Sequence, residues 1–127
     1  MARTCLALGA LLVATSVAAH HSYSDFVLDR TVAVEGDLVR YTFANPHILL
    51  ELKTGDARVY HAEWAAPNNV RRAGIEKDTL RVGDRLVVTG NPARDPEKLR
   101  LARLVDIRRP KDGWHWSRTT NRAAIEP

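Results

Sequence analysis

"RTVAVEGDLVRYTFANPHILLELK", residues 30–53, decides the fold. Val32, Val34 and Leu38, and after them Tyr41 and Phe43, alternate with polar residues. A period of two marks a strand with one face buried, because successive side chains of an extended chain point to opposite sides. The phase slips near Gly36, which predicts a β-bulge and a long, bent first strand. Asn45-Pro46 then interrupts the run, since proline has no N–H to give to a ladder and Asn-Pro favours a turn. Ile48, Leu50 and Leu52 restart the alternation on one face of a second strand.

Downstream, "TGD" is a short hairpin turn and "ARVYHAEW" a third strand. The period changes in "APNNVRRAG", where Pro67 or Asn68 can open a helix and Gly74 can close one, leaving about two turns. "IEKDTLRVGD" reads as a connecting loop turning at Gly83-Asp84, "RLVVTG" as a fourth strand, "NPARDPEK" as a polar loop and "LRLARLVDI" as a fifth strand. From Arg108 the apolar pattern stops, so residues 108–127 are expected to be a loose C-terminal tail, with Trp114 and Trp116 able to tuck back onto the domain. The fold class is therefore all-β with one short helix, in the order β-β-β-α-β-β of a five-stranded OB-like barrel. Another small barrel or a two-sheet sandwich is the alternative.

Upstream, Arg3, the apolar or small stretch from Cys5 to Ala14, and the small residues Ser16, Val17, Ala18 and Ala19 follow the order of a secretory signal peptide. The stretch is shorter than the ~20 residues that span a bilayer as a helix. Residues 1–19 are therefore expected to be a cleaved signal, cut after Ala18 or Ala19, with residues 20–107 as the barrel domain. The expected location is periplasmic or secreted, with no transmembrane segment in the mature chain.

Cys5, the one cysteine, would leave with the signal, so neither a disulfide nor cysteine-ligated metal is expected. Loss of Arg3 would lower the net charge from +4 to +3, and an exported protein of so small an excess is not expected to bind nucleic acid.

"AHHSYSDF", "TFANPHILLEL" and "AEWAAPNNVRRAGIEKDTLRVGDRLVVTGNPARD", with the final strand, resemble the small exported bacterial proteins of the DUF6152 family. The likeness covers nearly all of residues 19–107. Its most specific elements are the His-His after the signal, Asn45-Pro46-His47, "LRVGD" and "VTGNPARD". The resemblance implies a periplasmic OB-like domain and carries no assigned activity. Where members often have a longer glycine-rich segment before the last strand, this chain has the compact "DPEKLR".

Cleavage after Ala19 would give His20 a free α-amine, and amine plus ring nitrogen chelate one ion; cleavage after Ala18 would place the amine, two backbone nitrogens and the His21 ring in a square suited to Cu(II). His47 or His61 is a candidate third imidazole. Strict alternation puts His47 with Leu49 and Glu51, and His61 with Val59 and Glu63. Adjacent strands can bring these faces together, with Glu51 or Glu63 as acceptor behind a ligand imidazole. The plainer readings are a solvated chain end at His20-His21, a turn residue at His47, a hydrogen-bonded strand residue at His61, and a packing role for His115.

The first expectation is thus a binder of copper or another divalent metal through His20, His21, His47 and His61. The alternative is a module that binds a small anionic ligand or a periplasmic protein partner on its second and third strands, using Arg40, Tyr41, Arg58, Tyr60 and Trp64, without metal. A third reading lets Arg71-Arg72 and Arg108-Arg109-Lys111 touch anionic lipid heads. No enzyme is expected: His21, Ser22 and Asp25 are close in sequence, but a chain end does not preorganise a nucleophile and its base.

Overall fold

The computed structural model describes residues 23–126. The expected signal peptide, its cleavage site, His20 and His21 therefore lie outside the described residues. Seven strands and one helix follow in the order β1 Val32–Thr42, β2 Leu49–Lys53, β3 Val59–Glu63, α1 Pro67–Arg71, β4 Arg85–Pro92, β5 Arg100–Arg109, β6 Trp114–Ser117 and β7 Arg122–Ile125. Among the described residues no helix is long and apolar enough to cross a membrane.

β1 pairs antiparallel with β2 on one side and β4 on the other; β2 pairs with β3, and β4 with β5. A short parallel pairing of β3 with β5, His61 opposite Arg100 and Ala62 opposite Leu101, closes the ring. The result is a closed five-stranded OB-like barrel, and closure leaves the ring without an exposed edge. A two-sheet sandwich is ruled out by the β3–β5 ladder. Ile48, Leu50 and Leu52 are all fully buried, as their alternation requires, and face Leu38, Leu86, Val88 and Ile107 across the interior.

The bulge in β1 falls three residues later than Gly36. The β1–β2 register slips between Leu38 and Arg40, so Val39 is the extra residue. Inward positions run Val34, Gly36, Leu38 and then switch phase to Tyr41 and Phe43. Gly36 has a different job: a Cβ there would lie 2.8 Å from the Lys53 carbonyl oxygen, so only glycine lets the end of β2 approach.

β5 carries a larger irregularity. Thr89 opposes Asp106, but two residues further along Asn91 opposes Ala102, so Arg103, Leu104 and Val105 together bulge opposite Gly90. Arg103 takes φ 48°, which turns the chain sharply. Gly90 makes the room: a Cβ there would sit 2.7 Å from Leu104 Cδ2 and 2.9 Å from the Ala102 carbonyl oxygen. Leu104 consequently goes into the core while Arg103 is turned to the end of the barrel.

Residues 108–127 are not a loose tail as far as they are described. β5 runs to Arg109, and β6 and β7 extend the sheet as a hairpin beyond it. The physical reason is the pair Trp114 and Trp116, which share one face of β6 and are buried there, so the hairpin has an apolar face of its own. The Ala123 N–H donates to the Ala73 carbonyl and the Arg118 N–H to that of Val105, which fasten the hairpin to the end of α1 and to the β5 bulge.

Candidate functional site

On the outer face of β2 and β3 the register sets Leu49 opposite Glu63 and Glu51 opposite His61. His47, just before β2, holds Glu63 Oε1 through Nδ1 at 2.8 Å, and His61 Nδ1 lies 3.7 Å from Glu51 Oε1. Arg100 approaches Glu63 at 3.9 Å and Arg40 approaches Glu51 at 3.5 Å. Each carboxylate thus sits between one imidazole and one guanidinium. The expected juxtaposition of His47 and His61 with Glu51 and Glu63 is present, as two separate pairs. Among the described residues no group of three or more His, Cys, Asp or Glu side chains is arranged to hold a metal ion.

The five expected ligand residues do not share a surface. Arg40 is outward with Glu51, whereas Tyr41, one residue on and opposite Leu50, packs against the core. Burial pushes the Tyr41 hydroxyl pKa up, and its ring meets Phe43 edge-on at 6.0 Å. Arg58 is bound to Asp56 in the hairpin and lies over the Tyr60 ring, while Tyr60 itself packs on the core opposite Leu52. Trp64 is buried at the other end of β3. The basic clusters also divide: Arg71 lies over Phe43 and near Glu76, and Arg108, Arg109 and Lys111 are paired with Asp106, Asp84 and Asp112.

Trp64 leads to a different site. A cleft of about 430 Å³ opens at the barrel end where three segments meet: the end of β3 with α1, the β5 bulge, and the β6–β7 hairpin. The first supplies Trp64, Asn69 and Arg72, the second Arg103 and Leu104, the third Trp116, Arg118 and Asn121; Tyr23 and His47 complete the rim.

The charge in this cleft is one-sided. Among the described residues, no carboxylate lines it and none of Arg72, Arg103 and Arg118 makes an ion pair. Burial, and after it the neighbouring Arg103 charge, hold the Arg118 guanidinium below its ordinary pKa, against a smaller opposing effect of Tyr23. Arg103 lies 5.8 Å over the Tyr23 ring, which offers it a π-face in place of a carboxylate. Trp64 and Trp116 meet edge to face at 5.0 Å and are 4% and 3% exposed, yet neither indole N–H has a hydrogen-bond partner among the described residues. A buried donor left unpaired costs about 1–3 kcal/mol; these two nitrogens are sealed in the wall behind the cleft, whose own surplus is the positive charge of the three arginines.

Arg103, Arg118 and Asn121 escape sequence reading because they come from separate segments with no spacing motif. One signal was visible: Arg103 interrupts the apolar run "LARLV", a break in alternation of the kind a bulge produces.

A family model described as a family of unknown function, DUF6152, matches residues 9–102. The match ends before Arg103, so the β5 bulge and the β6–β7 hairpin lie beyond it. No curated protein matches the chain.

Proposed function

The chain belongs to the DUF6152 family, and we propose that it is an exported, non-enzymatic barrel that binds a small anion in the cleft at the end of β3. One observation carries this reading: three arginines without a carboxylate partner line a cleft to which the described residues bring no carboxylate. Crowding like charges in a partly dry site is unfavourable, and an anion relieves it while accepting from the guanidiniums. The charged groups of the lining are led by three arginines, which hold an anion rather than attack one. Export rests on the sequence before residue 20, and binding rather than catalysis on this donor set.

The test is a thermal melt of the purified mature chain in chloride, acetate, citrate, sulfate and phosphate at matched ionic strength. At least one anion is expected to raise the midpoint in the wild type and not in an Arg72→Gln/Arg103→Gln/Arg118→Gln variant. Identical midpoints in every anion refute the reading.

A second reading, copper or another divalent metal at His20 and His21 with His47 or His61, is favoured by the carboxylates behind both strand imidazoles, since such partners orient a ligand ring. His20 is three residues before Tyr23, within ~10 Å of chain reach, and Tyr23 and His47 line the same cleft. Copper titration of the mature chain against one carrying an extra N-terminal Gly-Ser decides it. Equal affinity removes the amine from the site.

A further inference from the structure

Resting on the anion reading, we infer that the cleft selects a doubly charged tetrahedral oxyanion, namely the phosphoryl end of a phosphate monoester, over a carboxylate. The first ground is charge. Arg72, Arg103 and Arg118 bring three positive charges and the described lining brings no negative one. A carboxylate offsets one of the three; a phosphoryl dianion offsets two, at the place where Arg103 and Arg118 already repel each other.

The second ground is shape. The guanidiniums come from three separate walls, α1, the β5 bulge and the β6–β7 hairpin. A carboxylate is planar and presents two oxygens, which one or two guanidinium forks satisfy. A phosphoryl group presents three oxygens splayed in three directions, one for each wall. The hairpin wall is held in place by the Arg118 N–H bond to Val105 at 2.8 Å, so the spacing of Arg103 and Arg118 is built in by the backbone.

The third ground is the donor balance. The three arginines bring donors only, and no carboxylate in the described lining can accept a proton from a P–OH. A monoester dianion brings acceptors only, whereas the acid phosphate ion brings a proton that needs one. Room for the ester body follows from the volume: a phosphoryl group fills a fraction of about 430 Å³, and Leu104, Ala65 and Ala66 line the rest.

Isothermal titration of the purified chain tests this with phenyl phosphate, inorganic sulfate and acetate at matched ionic strength near pH 8. Phenyl phosphate is expected to bind most tightly, and acetate at least tenfold more weakly than sulfate. Arg118→Gln should weaken phenyl phosphate at least tenfold, while the distant Arg58→Gln leaves it unchanged.

Moving to about pH 5 should weaken phenyl phosphate roughly tenfold, because the second ionisation lies near pH 6. Sulfate, a dianion throughout, reports any change in the protein itself, including His47 with Glu63 behind it, Tyr23 and the three arginines. Phenyl phosphate no tighter than sulfate overturns the monoester assignment. Acetate as tight as sulfate overturns the dianion and leaves the anion site standing. Affinities unchanged by Arg118→Gln and by the triple arginine variant overturn both.

Discussion

Replacing Asp84 should loosen the hairpin that supplies one wall of the cleft. Asp84 precedes β4 and is 5% exposed; its carboxylate accepts from the Arg81 N–H at 2.9 Å, from Arg109 at 3.0 Å and from Lys111. Arg109 and Lys111 stand at the turn from β5 to β6, so this one carboxylate ties that turn to the barrel. Arg109 is itself 14% exposed and also reaches the Thr79 carbonyl and Asp112.

Asp84→Ala leaves a partly buried backbone N–H without its acceptor and strips the largely buried Arg109 guanidinium of one partner, which should cost about 3 kcal/mol. Asp84→Asn keeps the shape and an acceptor but loses the charge, at about 2 kcal/mol. Lys111 is 61% exposed and can return to water, so Lys111→Gln should cost no more than about 1 kcal/mol. Urea unfolding reads all three, and 3 kcal/mol corresponds to roughly 12–24 °C in Tm for a domain of this size.

The pH dependence has a definite sign. Burial raises the Asp84 pKa, but the hydrogen bonds from Lys111, the Arg81 N–H and Arg109, with the Arg109 charge, outweigh it and hold the carboxyl below its ordinary 3.8. A depressed folded-state pKa means stability that is present above the unfolded value and lost as pH falls through the folded one. The gap between wild type and Asp84→Asn should therefore be full near neutrality and shrink below pH 3.8. A neutral Asp84→Asn, or a Lys111→Gln as damaging as Asp84→Ala, would refute the reasoning.

Gly90→Ala should destabilise by about 1–3 kcal/mol, because the new Cβ would press on a backbone oxygen of Ala102 as well as on Leu104; an unchanged urea midpoint counts against the tight bulge. Leu50→Ala should cost about 2–5 kcal/mol while Leu49→Ala, at a position 47% exposed, stays within about 0.5 kcal/mol, and similar losses at both would contradict the β2 register. Trp116→Ala should lower stability by about 3–5 kcal/mol and abolish the anion-dependent rise in Tm; a retained rise would remove Trp116 from the site.

The barrel was legible because its rules are local. Alternation in β1 and β2, the Pro67 start and Gly74 stop around α1, and the turn at Gly83 each follow from a few adjacent residues. The bulge was misplaced because Val39 is apolar yet exposed, so hydrophobicity alone could not mark the extra residue. The hairpin of β6 and β7 was hidden for a related reason: only Trp114 and Trp116 carry its pattern, amid basic and polar neighbours. That His47 and His61 share a face with Glu51 and Glu63 followed from strand parity, but which carboxylate meets which imidazole is set by the β2–β3 register, and the arginine cleft depends on closure and on a bend whose cause, Gly90, lies on the neighbouring strand.

Charge accounting separates the two surfaces that could hold a ligand. On the outer face of β2 and β3, Arg40 and His61 already face Glu51, and His47 and Arg100 already face Glu63. An anion arriving there must compete with a carboxylate fixed by the fold, and a cation must compete with a guanidinium. In the cleft an anion displaces no carboxylate of the described lining and meets guanidiniums whose mutual repulsion it lowers. Interactions made on binding are worth most where the free protein leaves groups unpaired, since nothing is given up to form them. The place where strand alternation fails, at Arg103, is thus also where the fold leaves positive charge without a carboxylate partner.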